Sequence, residues 1–395
     1  MNDLIQIFVP ALIAIICTGW IYPYILEVAK AKNIVDNPNA RKLQRVPIPV
    51  LGGLTVVFGI LSGLMAFNMF GDFSDMFPTF ATIIIILIIG LIDDMITLSP
   101  RIRFVVEIIL ILYLIKTTGC QLNDFHGLWG LNVIPNYISV PLTVFACVGI
   151  INAVNLIDGV DGYSSGYSIV SCVMFGMMFY TLGDIRMVAL AAIVAASLLP
   201  FFLHNVFGKH SKMFIGDAGT LSLGIIFSVF VMTIISSKQS IEGLPNNLGV
   251  VPFTLAVLCV PVFDTLRVMS ARMLKGRSPF SPDKTHLHHL FLELGYSHIG
   301  SALSIIMINI FVVLCWFMAF RVGLSINTQL YIVVGLGVLV TFIFYPFVHI
   351  QIRKQTTFYR IMRRIALLTH AERKGFWATA QKWADRSTHE EVETL

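Results

Sequence analysis

The chain has 395 residues, 56% of them hydrophobic and only 12% charged, with a mean hydropathy of +0.83. A soluble domain carries about twice that charged fraction, so a water-soluble globular fold is excluded. The net charge is +5, and the six cysteines (Cys17, Cys120, Cys147, Cys172, Cys259, Cys315) have neither paired nor metal-like spacing, so they read as packed thiols and not as a disulfide framework.

Long apolar runs separated by short charged segments read as transmembrane helices. Eleven are predicted, at about 4–26, 49–69, 79–92, 104–117, 138–156, 164–182, 186–204, 219–236, 249–268, 299–320 and 328–348, the third and fourth being short for a full crossing. Asp3 and no basic residue precede the first run, which argues against a cleaved signal peptide. Segments after the odd-numbered spans hold 23 of the 27 Lys and Arg residues; only Lys116, Arg186, Lys238 and Arg321 fall on the other side. By the positive-inside rule the basic side is cytoplasmic. The expected fold is therefore an all-α polytopic membrane protein of about 11 transmembrane helices, N-terminus out and C-terminus in. A one-sided cytoplasmic charge suits anionic lipid or anionic substrates, and no nucleic-acid partner is indicated.

Four polar islands follow spans three, five, seven and nine, and so share the cytoplasmic side. In "LIDDMITLSPRIR" (91–103), Asp93 and Asp94 end an apolar helix, where acids oppose the macrodipole; the segment after them stops the helix and offers Arg101 and Arg103 as partners. In "NAVNLIDGVDGYSSG" (152–166), Asp158 and Asp161 stand at i and i+3, on nearly one face if the segment is helical, with Gly159, Gly162 and Gly166 allowing turns and close ligand approach. Capping aspartates at a solvated helix end are the competing reading. In "HNVFGKHSKMFIGDAGTLSLG" (204–224), Asp217 lies among glycines at the entrance to span eight, as a metal ligand beside a bulky ligand or as a helix N-cap, or both. In "FDTLRVMSARMLKGRSPFSPDKTHLHHL" (263–290), Arg272, Lys275, Arg277, Lys284, His286, His288 and His289 crowd into eighteen residues. With no cysteine near, a phosphate cradle fits this island better than structural zinc.

The connections on the opposite side, "GDFSDMFP", "LGDIR" and "SSKQSIEGLPNN", are short turn-rich linkers, and residues 118–137 suggest a small hairpin. No internal repeat is present. The domain division is a membrane domain, 1–348, and a basic cytoplasmic tail, 349–395. That tail carries Phe358, Tyr359, Phe376, Trp377 and Trp383 among its cations and reads as amphipathic helix at the membrane interface, with "RSTHEEVETL" as a solvated end.

Taken together, five carboxylates on one membrane face suit a hard divalent cation such as Mg2+, which binds through one or two carboxylates plus substrate phosphates. A basic loop would hold the remaining phosphate charge. The implied chemistry is phosphoryl transfer at the cytoplasmic membrane surface, by positioning and charge neutralisation. No Walker motif or kinase-like glycine loop is present, so a nucleotide-sugar diphosphate is a better donor than a nucleoside triphosphate.

In order, "GG" (52–53), "DD" (93–94), "NLIDGVDG" (155–162), "FIGDAG" (214–219) and "SPDKTHLHHL" (281–290) resemble the polyprenyl-phosphate N-acetylhexosamine-1-phosphate transferase family, over about residues 30–295. The resemblance implies Mg2+-dependent transfer of a sugar 1-phosphate from a UDP-sugar to a polyprenyl phosphate, with Mn2+ as a substitute metal. It implies that Asp217 and Asp158 hold the metal and diphosphate, and that Asp93 and Asp94 activate the lipid phosphate or assist the metal. Asp161, Arg45 and Phe214 would lie near the uridine, with Asn155 in the same substrate-binding motif. Arg272, His286, His288 and His289 would grip phosphates and sugar. Muramoyl-pentapeptide transferases typically have a lysine three places after the aspartate pair and three consecutive histidines; here Thr97 and Leu287 stand instead. The chain thus resembles the branch that joins UDP-N-acetylglucosamine to undecaprenyl phosphate in the bacterial inner membrane, starting O-antigen, common-antigen or teichoic-acid-type polymers. The family likeness also suggests a homodimer. The rivals are the muramoyl-pentapeptide branch, an inactive scaffold and an ion-coupled transporter. A transporter's acids would lie near the bilayer midplane and not at span ends.

Overall fold

A computed structural model describes residues 3–36, 46–70, 74–239, 241, 243–279, 285–370 and 375–386. The chain is helical almost throughout. The helices are α1 (Asp3–Ala31), α2 (Gly52–Phe67), α3 (Phe77–Ile96), α4 (Pro100–Thr118), α5 (Asn136–Leu156), α6 (Tyr163–Thr181), α7 (Ile185–Phe207) and α8 (Gly216–Ile234). They continue with α9 (Val250–Val257), α10 (Cys259–Leu274), α11 (Leu287–Glu293), α12 (His298–Arg321), α13 (Ile326–Val338), α14 (Phe344–Lys354), α15 (Thr357–Leu368) and α16 (Phe376–Arg386). A π-helical turn, Leu339–Ile343, joins α13 to α14. Two short strands, β1 (Val35–Asp36) and β2 (Ile48–Pro49), pair antiparallel.

All eleven predicted spans are helical, but fewer can cross a membrane by length and composition. Among the described residues seven stretches qualify: Asp3–Ala31, Ser74–Ile96, Asn136–Leu156, Ile185–Phe207, Gly216–Ile234, His298–Arg321 and Ile326–Lys354. The pair α9 and α10, bent by 70°, makes an eighth if it is one span. The others fall short for visible reasons. α2 has only 16 residues, α4 carries Arg101, Arg103, Glu107 and Lys116, and α6 carries four serines. The chain is a multi-pass membrane protein.

Two compact units divide it: residues 1–103, 161–226 and 371–395 form unit one, and 104–160 with 227–370 form unit two. In unit one, α1, α2 and α7 pack together where small residues let backbones approach. A Cβ on Gly59 would stand 1.9 Å from Thr18 Oγ1 and 3.0 Å from Ser197 Oγ. α16 docks on α7, with Trp383 stacked on His204 at 5.6 Å and Trp377 against Phe207 at 4.7 Å.

Unit two is built on α5, α9, α10, α12, α13 and α14. A helix broken at membrane depth must satisfy the backbone groups it frees. At the α9–α10 break one side chain does this: Asn309 of α12 accepts from Val260 N at 3.0 Å and donates to Val257 O at 2.9 Å. The hairpin expected in 118–137 is present as an antiparallel bridge between Asp124 and Val133. The tail expected from residue 349 begins inside α14. Beyond it α15 buries Tyr359 and Ala366 and leaves Ile361, Ile365 and Leu368 exposed beside Arg360, Arg363 and Arg364. Within "RSTHEEVETL", residues 387–395 lie outside the described residues.

Candidate active site

In unit one, three motifs meet at the first turn of α8. Phe214 N donates to Pro49 O at 2.8 Å, Gly52 N to Phe214 O at 3.0 Å and Gly53 N to Ile215 O at 2.8 Å, so the segment before α2 runs beside the segment before α8. The approach depends on glycine: a Cβ on Gly53 would stand 2.2 Å from Gly219 N, and one on Gly90 of α3 2.4 Å from the Ala218 Cα. Gly216 takes a left-handed φ of +67° that a side chain would strain.

The aspartate pair at the end of α3 completes this clamp. Asp94 accepts from Asp217 N at 2.8 Å and from Ala218 N at 3.0 Å, one on each carboxylate oxygen. The N-cap expected of Asp217 is therefore supplied by Asp94, and Asp217 itself lies in the first turn of α8. This resolves the poor placement of acids at a helix C-terminus, because Asp94 serves the positive end of another helix. Asp93 is buried, accepts from Leu98 N at 2.6 Å and pairs with Arg103 Nη1 at 3.1 Å. The same Arg103 nitrogen lies 3.9 Å from Asp217 Oδ1, and Asp217 is the half-open member of the group, its side chain 34% exposed.

Also in unit one, Asp161 pairs with Lys212 at 2.5 Å, and the Lys212 ammonium stands 5.7 Å over the Phe214 ring. Asn205 fixes this corner by accepting from Gly162 N at 2.7 Å and donating to Met213 O at 2.8 Å.

Asp158 and Asp161 do not share a helical face. α5 ends at Leu156 and α6 begins at Tyr163, so both aspartates sit in a turn, with Gly162 at φ +75°. The glycines that invited a ligand also end the helix, and the unit boundary falls between Val160 and Asp161. Asp158, its amide bonded to Asn155 O at 3.3 Å, belongs to unit two.

Unit two joins that turn to the histidine segment. A Cβ on Gly159 would stand 2.3 Å from His288 Nε2, so only glycine lets the two meet. His286 and His288 stack with ring centroids 5.8 Å apart, and His289 lies 4.3 Å from His288. Burial, then the neighbouring His289 and His286, hold His288 well below an ordinary histidine pKa, so it is neutral at neutral pH. Arg272 is buried and donates to Pro279 O at 2.6 Å. Arg45 lies outside the described residues.

Four site residues were not assigned from the sequence: Asn205, Lys212, Asp264 and Arg267. Asp264 had a signal, since an acid inside an expected span (249–268) marks function by default. It accepts from Arg267 Nη2 at 2.7 Å, His286 Nδ1 at 3.0 Å and Leu287 N at 3.1 Å. Arg267 also donates to Thr285 O and lies 3.8 Å over the Tyr345 ring.

Among the described residues no group of three or more His, Cys, Asp or Glu side chains could cage a metal ion. Mg2+ dehydrates reluctantly and takes one or two carboxylates, water and substrate phosphates, and the half-open Asp217 carboxylate has the chemistry of such a ligand.

Residues 76–235 match the profile of glycosyl transferase family 4 and contain the aspartate pair, "NLIDGVDG" and "FIGDAG". The chain is 30% identical over 276 residues to the undecaprenyl-phosphate alpha-N-acetylglucosaminyl 1-phosphate transferase of Escherichia coli K12, covering 69% of this chain and 72% of that one. It is 29% identical over 307 residues to the probable undecaprenyl-phosphate N-acetylglucosaminyl 1-phosphate transferase of Bacillus subtilis, covering 78% and 83%. A Yersinia pestis relative with the same name as that of E. coli is 28% identical over 274 residues, covering 69% and 73%.

Proposed function

This chain belongs to glycosyl transferase family 4, and from that premise we propose that it transfers N-acetylglucosamine 1-phosphate from UDP-GlcNAc to undecaprenyl phosphate, giving undecaprenyl-diphosphate-GlcNAc and UMP. The observation that carries the reading is the clamp at the start of α8, where Asp94 holds the Asp217 and Ala218 amides while Arg103 stands beside Asp93 and Asp217. In this reading the N-terminus is outside, the C-terminus is inside, and the site opens on the cytoplasmic face of a bacterial inner membrane. The one-sided placement of 23 of 27 basic residues supports that orientation. The product would begin a cell-envelope polysaccharide.

The chemistry asks little covalent work of the protein, and positioning and charge neutralisation supply most of the acceleration. A lipid phosphate oxygen attacks the β-phosphorus, the bond from that phosphorus to the bridging oxygen breaks, and UMP leaves with the electron pair. Asp217 and Asp158 are the carboxylates that the family likeness assigns to Mg2+, or to Mn2+ in its place; the ion, when bound, would supply charge neutralisation for the substrate diphosphate. Asp94 keeps the first turn of α8 in place, and Asp93 aims Arg103. Both oxygens of each acid already accept a hydrogen bond, so either acid would act as proton acceptor only through a remaining lone pair. Lys212 and Phe214, with Asp161 fixing the lysine, would hold the uridine end, a role the family likeness gives to Arg45 as well. Asn155, Arg272, His286, His288 and His289 would hold phosphates and sugar.

The test is UMP release by purified protein given undecaprenyl phosphate, Mg2+ and UDP-GlcNAc, with EDTA and UDP-MurNAc-pentapeptide arms. Release only with the GlcNAc donor, lipid and metal together is expected. Release from the pentapeptide donor alone would move the chain to the peptidoglycan branch, and silence from folded protein with both donors would refute the reaction.

A further inference from the structure

Asp264 and Arg267 lie on α10, outside every motif that carries the family resemblance, yet they hold the histidine segment. One Asp264 oxygen accepts from Arg267 Nε at 3.2 Å and Nη2 at 2.7 Å; the other accepts from His286 Nδ1 at 3.0 Å and Leu287 N at 3.1 Å. Three other donors, Arg267 Nε and Nη2 and Leu287 N, face Asp264 and keep it ionised, so the hydrogen between it and His286 belongs to Nδ1. The ring's other nitrogen is then fixed by elimination. Nε2 carries the reactive position, a lone pair in the neutral ring and an N–H in the charged one.

That Nε2 atom is buried, with His286 only 6% exposed, and it has no hydrogen-bond partner among the described residues. A histidine kept only for packing would not be aligned through one nitrogen and left bare at the other. The groups around it are Asp264, Arg267 and the parallel ring of His288, whose own neighbour is His289. Arg267 steadies the base of the arrangement by donating to Thr285 O and lying 3.8 Å over Tyr345.

We infer that Asp264 is a positioning residue for the transfer, fixing the His286 tautomer and ring so that Nε2 is offered to a phosphate or hydroxyl oxygen of the bound nucleotide-sugar. The inference rests on the proposed sugar-phosphate transfer and deepens it, since Asp264 acts through His286 and does not itself touch substrate.

The test is a double-mutant cycle on full-length protein, reading UMP release, with D264N, H286A and the double variant, each checked for folding by size exclusion and thermal melting. D264N is expected to lower kcat about 10–100-fold, the range for losing the partner that orients a functional histidine. In the H286A background it should cost almost nothing further, and D264E should recover part of the loss. An equal D264N loss with and without His286, or no loss at all, would overturn the inference. If D264N does not fold, ring-15N histidine spectra of the unmodified protein decide: a proton on Nδ1 of His286 supports the dyad and a bare Nδ1 refutes it. The two readings fail separately. Unmodified protein silent with UDP-GlcNAc removes the reaction while the spectra still judge the dyad, and active protein with an unaffected D264N variant removes only the dyad.

Discussion

The clamp of unit one and the histidine segment of unit two solve the same problem by different means. Both must hold polar groups beside a membrane with their geometry fixed. The clamp uses backbone approach: Gly52, Gly53, Gly90, Gly216 and Gly219 let three chain segments come within hydrogen-bond range, and Asp94 closes the group on backbone amides. The histidine segment uses side chains on side chains: Asp264 aims His286, and Arg267 braces Asp264 against Tyr345. Where the approach is backbone on backbone it cannot be altered gradually: at Gly53, Gly90 and Gly216 the first atom an added Cβ would meet belongs to the main chain and not to a movable side chain. A geometry made by a second layer of side chains can be tuned one bond at a time. Substitutions in the clamp should therefore fail abruptly, and those behind the histidines should grade.

The largest expected effect is at Asp217. Asp217→Asn keeps the size and the helix turn while removing the half-open carboxylate, and should lower turnover about 10²–10³-fold, the scale for losing one preorganised electrostatic group. Near-normal turnover with an unchanged melting temperature would take Asp217 out of the metal's coordination. Next comes Gly53→Ala. Its Cβ would lie 2.2 Å from Gly219 N, where no rotamer change helps, so a loss near the upper end of overpacking costs, about 3 kcal/mol, is expected. Thermal melting in detergent reads this directly, and a variant that melts with the parent protein would show that the two segments do not approach so closely.

Arg267→Lys tests the other side of the comparison. Lysine keeps the charge but not the fork that reaches both Asp264 and Thr285 O, nor the flat face over Tyr345. About a tenfold fall in turnover, roughly 1.4 kcal/mol, is expected, with the fold intact. If Arg267→Lys instead unfolded the protein as Gly53→Ala does, the distinction between an abrupt region and a graded one would collapse.

The sequence made some of this legible and not the rest. Helices could be read because apolar runs are long, and all eleven expected spans are helical. Their number as crossings could not be read the same way, because a 16-residue α2 and a charged α4 look like spans in a running average. The clamp's residues stood out as acids and glycines against a greasy background. The role of Asp94 did not, since its partners lie 123 and 124 residues further along the chain. Asp158 and Asp161 share a face only if their segment is helical, and Gly159 and Gly162, helix breakers between and after them, put both in a turn instead. Lys212 and Asn205 looked like ordinary polar residues in a basic loop; only the fold turns them towards Asp161 and Gly162.

The smallest expected effect concerns the tail, where the logic of Asp94 recurs at a site with no assigned chemistry. Asp385 of α16 accepts from the backbone amides of Lys209, His210 and Ser211 at 3.1, 3.0 and 3.0 Å, and from the Ser211 hydroxyl at 3.1 Å. Burial alone would raise its pKa, but these donors outweigh it and hold the carboxyl below the usual aspartate range. The sign follows from linkage. A depressed carboxyl contributes stability that is present above the unfolded value of about 3.9 and is lost as pH falls through the lower folded value. Docking of α16 should thus be equally firm at about pH 7 and about pH 5 and loosen only below about pH 4. Asp385→Ala should weaken it by about 2 kcal/mol at neutral pH, the scale of hydrogen bonds to a charged acceptor. Limited proteolysis between α15 and α16 reads the docking, with faster cleavage expected in the variant. Loss of protection in the parent protein already between pH 7 and pH 5 would show that Asp385 is not the group that holds α16.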